Sequence, residues 1–201
     1  QSVTEVRVPE AAGAAAVVLN VTTIGSAPGY WTLYPVDTAP PTAANLNSLF
    51  AFHVSANQVI VPVDAEGDLA VFSQSGGHLV IDLVGTITGP SAPITADGLF
   101  VPLSSPTRFL DTRDAALNPL GGAQMPLPVW NVEVPVSTNP AIGRTDVAAL
   151  SLNITATDSL AGGYVSVSPA GSNDPTTKSR GTSTLNVVRA AQTLPNHATV
   201  A

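Results

Sequence analysis

The densest group of side chains able to hold a cation is Asp64-Ala65-Glu66-Gly67-Asp68. Three carboxylates in five residues offer the hard oxygen ligands that calcium takes. The spacing falls short of an EF-hand loop. Glu66-Gly67 between two strand-like runs reads better as a hairpin turn, with glycine at a positive-φ position and the acids keeping the tip wet. A second acidic group is Asp111-Thr112-Arg113-Asp114. A glycosidase needs two carboxylates about 5 to 9 Å apart across a cleft, which Asp111 and Asp114 on one extended segment do not supply. Asp111 and Arg113, two residues apart on one face, are suited instead to bracing neighbouring loops through charge-assisted hydrogen bonds. Asp82 lies inside the apolar run Leu79-Val80-Ile81-Asp82-Leu83-Val84. A buried carboxylate needs a partner, and burial can raise its pKa into the range of acid catalysis. No second acid or histidine stands near it in sequence, so Asp82 reads as structural, fixing a turn or a bulge.

The imidazoles are His53, His78 and His197. None sits at the short spacing of a metal-ligand pair, and no Gly-x-Ser-x-Gly elbow is present. Without cysteine there is neither a disulfide nor a thiolate site. The expectation is a chain that is not an enzyme and carries no cofactor or metal, with Asp64, Glu66 and Asp68 the weak metal candidates. Tyr30, Tyr34 and Tyr164 are the candidate ligand residues. Beside Thr32, Ser166 and Ser168 they would form a hydroxyl-rich face able to stack on sugar rings; the simpler alternative is a tyrosine hydroxyl anchoring a loop. Asn20 and Asn153 both fall in Asn-x-Thr sequons but in mid-strand, and read as structural anchors of a ladder or loop.

The elements that must position these residues are strands. Proline or glycine interrupts the chain every few residues, and no window carries apolar residues at helical spacing. Alternation at period two is widespread. Val17, Leu19 and Val21 fall on one face of a run, as do Leu150, Leu152 and Ile154 of another. Further expected strands are Val3–Val8, Tyr30–Tyr34, Gln58–Val63, Leu69–Phe72, His78–Val84, Val129–Val136, Tyr164–Ser168, Ser183–Val188 and Ala198–Ala201. Many short strands between turn signals point to antiparallel sheets.

The halves of the chain match each other. Leu19-Asn20-Val21-Thr22 recurs as Leu152-Asn153-Ile154-Thr155. Gly29-Tyr30-Trp31-Thr32-Leu33-Tyr34-Pro35 recurs as Gly163-Tyr164-Val165-Ser166-Val167-Ser168-Pro169. Ala44-Asn45-Leu46-Asn47 recurs as Ser183-Thr184-Leu185-Asn186, and Asn57 as Asn196. Order is kept while the offset drifts by a few loop residues, the signature of a tandem repeat. The copies are out of phase. The first continues through Leu79–Leu83 to about Gly89, whereas the second stops at the counterpart of Pro62; the second alone is preceded by Thr107–Arg113.

Composition narrows the partners. The chain has 201 residues with 7 Lys and Arg against 14 Asp and Glu, a net charge of −7. Only 10% of residues are charged, well below the roughly 25% of an average domain. Lys178 is the single lysine. So few cations cannot make the basic stripe that phosphate binding needs, which excludes nucleic acid. No apolar run approaches the roughly 20 residues of a membrane-spanning helix. With so much apolar side chain, disorder is excluded as well. The chain opens at Gln1 without a charged or apolar leader, as a mature secreted chain or a fragment would.

These blocks resemble a tandem repeat of secreted and cell-wall-associated actinobacterial proteins. It opens on a Pro-Thr-Arg-(aromatic or Leu)-Leu-Asp-Thr-Arg motif, here Pro106 to Arg113, and continues through blocks matching Val17–Thr22, Gly29–Pro35, Ala44–Asn47 and Ile81–Gly85. The resemblance implies an exported address at the cell surface and a repeat without an assigned activity. It also implies that Val36 and Ala70, which stand where family copies often carry cysteines, are neighbours in space.

The expected fold is all-β: two tandem antiparallel β-sandwich units, jelly-roll or immunoglobulin-like, the second incomplete at its C-terminal end. The division is 1–89 for the first unit, 90–105 for a linker and 106–201 for the second. Val17, Leu19, Val21, Trp31, Leu33, Leu79, Ile81 and Leu83 should be core in the first; Leu150, Leu152, Ile154, Val165 and Val167 in the second. The expected role is a non-catalytic extracellular structural module, self-assembling into a fibre by strand complementation between subunits. The alternative is a module that binds carbohydrate or cell wall. Expected partners are other copies of itself or adjacent repeats, or cell-wall glycan.

Overall fold

The computed structural model describes residues 1–95, 98–118, 132–136, 138–139, 142, 144–170 and 182–200. Among these the fold is all-β and antiparallel, with one short 3-10 turn at Pro9–Ala11. The strands are β1 (Ser2–Arg7), β2 (Ala14–Gly25), β3 (Gly29–Pro35), β4 (Leu46–Ser48), β5 (Val54–Pro62), β6 (Asp68–Ser73), β7 (Gly77–Thr88), β8 (Leu150–Ala156), β9 (Gly163–Val165), β10 (Leu185–Val187) and β11 (Leu194–Val200). The described part of the expected strand Val129–Val136 carries no strand, and its residues 129–131 lie outside the described set, as do Lys178 and Ala201.

The first copy builds two sheets, β1-β6-β3-β4 and β5-β2-β7. Alternation on β2 sends Val17, Leu19 and Val21 to one side, where all three are fully buried. They join Val59 and Val61 of β5, Trp31 and Leu33 of β3, and Leu69 and Val71 of β6 in a single apolar cluster fed by both sheets. Leu79 and Ile81 pack against this cluster as expected. Leu83 does not belong to the core, being 39% exposed. Val18 pairs with Gly85 and Leu19 with Leu83, so Val84 is an extra residue that bulges β7. The bulge re-aims that end of an edge strand and lifts Leu83 toward water.

The second copy repeats half of this plan. β10 pairs with β9 and β11 pairs with β8, as β4 pairs with β3 and β5 with β2. Atomic detail recurs too. The Asn45 carboxamide oxygen accepts from the Leu33 N–H at 2.7 Å, and at the matching place the Thr184 hydroxyl accepts from Val167 N–H at 3.2 Å. Asn57 Nδ2 donates to the Asn45 carbonyl at 2.9 Å, and Asn196 Nδ2 to the Thr184 carbonyl at 2.6 Å. Phe52 and Ala191 hold the same left-handed backbone, at φ 63 and 56, and their N–H groups close the same turn on Gly25 and Ser159. His53 Nδ1 and Gln192 Oε1 each accept from the backbone four residues earlier. The repeat is therefore present in the folded chain down to individual side-chain bonds.

Contacts divide the chain differently from the linear reading of 1–89, 90–105 and 106–201. One compact unit gathers residues 1–93, 151–167 and 182–199; the other comprises 94–150, 168–181 and 200–201. The second copy's ladders thus cluster with the first copy. Leu150, Leu152, Ile154, Val165 and Val167 are only half-buried. The deeply buried apolar residues of this copy are Leu185, Val187 and Ala198. Core packing expected for β8 is missing because, among the described residues, β8 has a partner on one edge only.

Candidate functional site

The acidic group at 64–68 is organised by bonds to its own backbone. Asp64 Oδ1 accepts from the N–H of Glu66 at 3.1 Å and of Asp68 at 2.7 Å. Gly67 holds φ +85, and a Cβ there would collide with the Val8 carbonyl oxygen. The positive-φ glycine is where the sequence puts it. The turn, however, is no hairpin: it carries the chain from β5 in one sheet to β6 in the other. Asp68 faces Arg7 across β1 and β6 and takes its guanidinium as a fork, at 2.8 and 2.6 Å. Hydrogen bonding to Arg7, then its charge, holds the Asp68 carboxyl below the usual carboxylate range and raises Arg7. Among the described residues no three histidine or acidic side chains form a group able to hold a metal ion.

Asp111 is clamped within its own segment rather than braced against neighbouring loops. Arg113 binds both its oxygens at 2.9 and 2.8 Å, the Arg113 N–H adds a bond at 3.0 Å, and Arg108 approaches at 3.1 Å. The Arg113 side chain, its backbone N–H and the nearby charges together press the Asp111 carboxyl far below its ordinary value. Asp114 is occupied separately, its Oδ1 accepting from the Ala116 N–H at 2.9 Å. Asn118 closes the loop on the Thr112 carbonyl. Such a carboxylate stays ionised, so it cannot give up a proton as a general acid at neutral pH.

The tyrosine face is largely not available to a sugar. Tyr34 is 4% exposed, and the Thr32 hydroxyl beside it is tied to the Ala43 carbonyl, which brings the following loop against this side of β3. Tyr30 packs on Phe72 with ring centroids 5.5 Å apart. Tyr164 remains open at 44% exposure. Register pairs Tyr34 with Ala70, while Val36 lies beyond the end of β3 in the turn that follows. Asp82 pairs with Asn20 across β2 and β7, on the side away from the core, half-buried and two residues before the bulge.

Asn20 and Gln58 mark the place where the copies meet. Asn20 is 6% exposed although it faces away from the core of its own sheets. Its Nδ2 donates to the Ser183 carbonyl at 2.9 Å. Gln58 N–H donates to Asn196 Oδ1 at 3.3 Å, and the Thr199 hydroxyl to Gln58 Oε1 at 3.1 Å. Val84, Val167 and Thr184 line a gap of about 40 Å³ beside these groups, enough for bridging water. The sequence identifies Asn20 as an anchor but not what it anchors to. Asn153, the same residue in the second copy, is exposed.

Comparison with protein families, with curated proteins and with solved structures found no match.

Two further features escape the sequence. Ser151 Oγ and His197 Nε2 lie 2.7 Å apart on neighbouring strands. A serine hydroxyl on an imidazole is half of a nucleophile relay. No carboxylate among the described residues hydrogen-bonds His197 to complete it, and its ring stands at the place of Gln58 in the first copy. A cleft of about 210 Å³ is lined by Ser2, Thr4, Trp31, Ser73, Gly77 and Leu79. Trp31 is buried and its indole N–H has no hydrogen-bond partner. Gly77, at φ +138, is required where the chain enters β7, since a Cβ would strike the Ile24 carbonyl oxygen.

Proposed function

We propose that this chain is a non-catalytic structural module of the cell exterior that associates with further copies of its own repeat. The observation that carries this is the contrast between β2 and β8. β2 is paired on both edges, by β5 along Ala16–Ile24 and by β7 along Ala14–Gly25. Its counterpart β8 is paired by β11 alone among the described residues. An unpaired strand edge with half-buried apolar side chains is a template for another strand. The resemblance to repeats of secreted, wall-associated proteins supports the exterior address. The acids support a structural role, since Asp68, Asp111 and Asp146 each hold an arginine through both carboxylate oxygens. The wall-glycan reading retains the exposed Tyr164.

The test is sedimentation velocity over a range of concentrations, with electron microscopy of the same material and amide hydrogen exchange on β8. Association that grows with concentration, together with new protection of β8 amides, is the expected result. A monomer at every concentration overturns the reading.

A further inference from the structure

We infer that the outer face of β8 and β11, marked by Asn153 and His197, is a docking surface for the first repeat of a second copy of this chain. The contact between the two copies within the chain is the template. On one side stand Asn20 and Gln58; on the other stand the Ser183 carbonyl, Asn196 and Thr199. Carried through the repeat, the receiving residues Asn20 and Gln58 become Asn153 and His197. The docking residues Ser183, Asn196 and Thr199 become Ala44, Asn57 and Ile60.

The template bond from Asn20 to the Ser183 carbonyl carries over as Asn153 to the Ala44 carbonyl, whereas the His197 N–H that stands for Gln58 N–H already donates to Asn196 Oδ1. Asn153 and Ala44 are exposed, and Ile60 is 56% exposed on the outer side of β5. Asn57 keeps the bond to the Asn45 carbonyl that Asn196 makes to Thr184, so its carboxamide is already oriented as the template requires. The bond from the Thr199 hydroxyl to the Gln58 side chain has no counterpart, since Ile60 carries no donor and Ser151 holds the His197 ring. Ile60 in place of Thr199 exchanges a hydroxyl contact for burial of an exposed apolar side chain. The receiving face lies on the second copy and the docking face on the first, so the contact is heterologous. Repetition gives an open chain of molecules rather than a closed dimer.

This inference rests on the self-association reading but not on strand addition at the β8 edge, and the two are separable. Asn153→Arg places a charged, bulky group on the receiving face; Ile60→Arg does the same on the docking face. Both positions are exposed, so circular dichroism and thermal unfolding should match wild type. Each variant alone should weaken self-association at least tenfold in sedimentation velocity. Mixed, they should form a one-to-one heterodimer and nothing larger, because each supplies the face the other lacks. If wild type associates and Asn153→Arg associates equally well, the docking face is wrong while strand addition stands. If wild type is monomeric throughout, both readings fall together.

Discussion

β2 and β8 carry nearly the same residues and live in different surroundings. Val17-Val18-Leu19-Asn20-Val21-Thr22 lies between two partner strands over a core shared by two sheets. Leu150-Ser151-Leu152-Asn153-Ile154-Thr155 has one partner among the described residues, and its apolar side chains are half-buried. Local pattern is therefore enough to specify a strand and its pairing but not its burial. What lies on either side decides how much each side chain contributes.

The largest effect that would break this comparison is in the apolar face. Leu19→Ala removes a fully buried side chain and should cost about 3 kcal/mol. Leu152→Ala at the equivalent place should cost about 1 kcal/mol, because much of that side chain is already in water. Chemical denaturation of the two variants checks the ratio. Equal losses would mean that the second copy is as well packed as the first.

How much of this was legible follows from the same contrast. The repeat could be read because turn and ladder residues recur as blocks, and those blocks proved to hold the same bonds. Even His53 and Gln192, unlike in chemistry, accept from equivalent backbone positions. The pairing of Asp111 with Arg113 could be read but not its setting, because the segment turns at 112–114, where the Asp114 N–H closes on the Asp111 carbonyl, and the pair clamps that turn rather than bracing neighbouring loops. The burial of Tyr34 could not, since period two says which residues share a face and nothing about the loop that crosses it. Nor could the turn at 64–68 be told from a hairpin, because glycine at positive φ serves a crossing between sheets equally well. The short strand Leu46–Ser48 carries too few residues for alternation to show, whereas Leu185–Val187 falls inside the expected strand Ser183–Val188. The contact at Asn20 lies beyond any local signal, because its partner is 163 residues away.

Polar anchors should reverse the order seen in the apolar face. Asn57 Nδ2 makes one bond, to the Asn45 carbonyl. Asn196 makes the same bond and in addition accepts from the N–H groups of His197 at 2.7 Å and Gln58 at 3.3 Å. Truncating a buried side chain with several partners strands each of them. Asn57→Ala should cost about 1 kcal/mol and Asn196→Ala about 2 kcal/mol. Differential scanning calorimetry reads both. A second copy less sensitive than the first at this position would remove Asn196 as the link between copies.

The smallest expected effect concerns a tie that, among the described residues, belongs to the first copy. Arg7 and Asp68 join β1 to β6, a strand pair without a counterpart among the described residues of the second copy. The Asp68 carboxyl is held below its unfolded value, chiefly by the Arg7 hydrogen bonds. A group with a depressed folded pKa adds stability above the unfolded pKa, about 3.9 for aspartate, and loses that contribution as pH falls through the folded value. Arg7→Met keeps the aliphatic stem and removes the partner. Its melting temperature should lie slightly below wild type at pH 6, and the gap should close as pH is lowered past about 4. Asp111 titrates in the same acid range in both proteins and cancels in the difference. A gap that stays constant from pH 6 to pH 3 would show that the aliphatic packing of Arg7 on β6, not its charge, holds the edge strand.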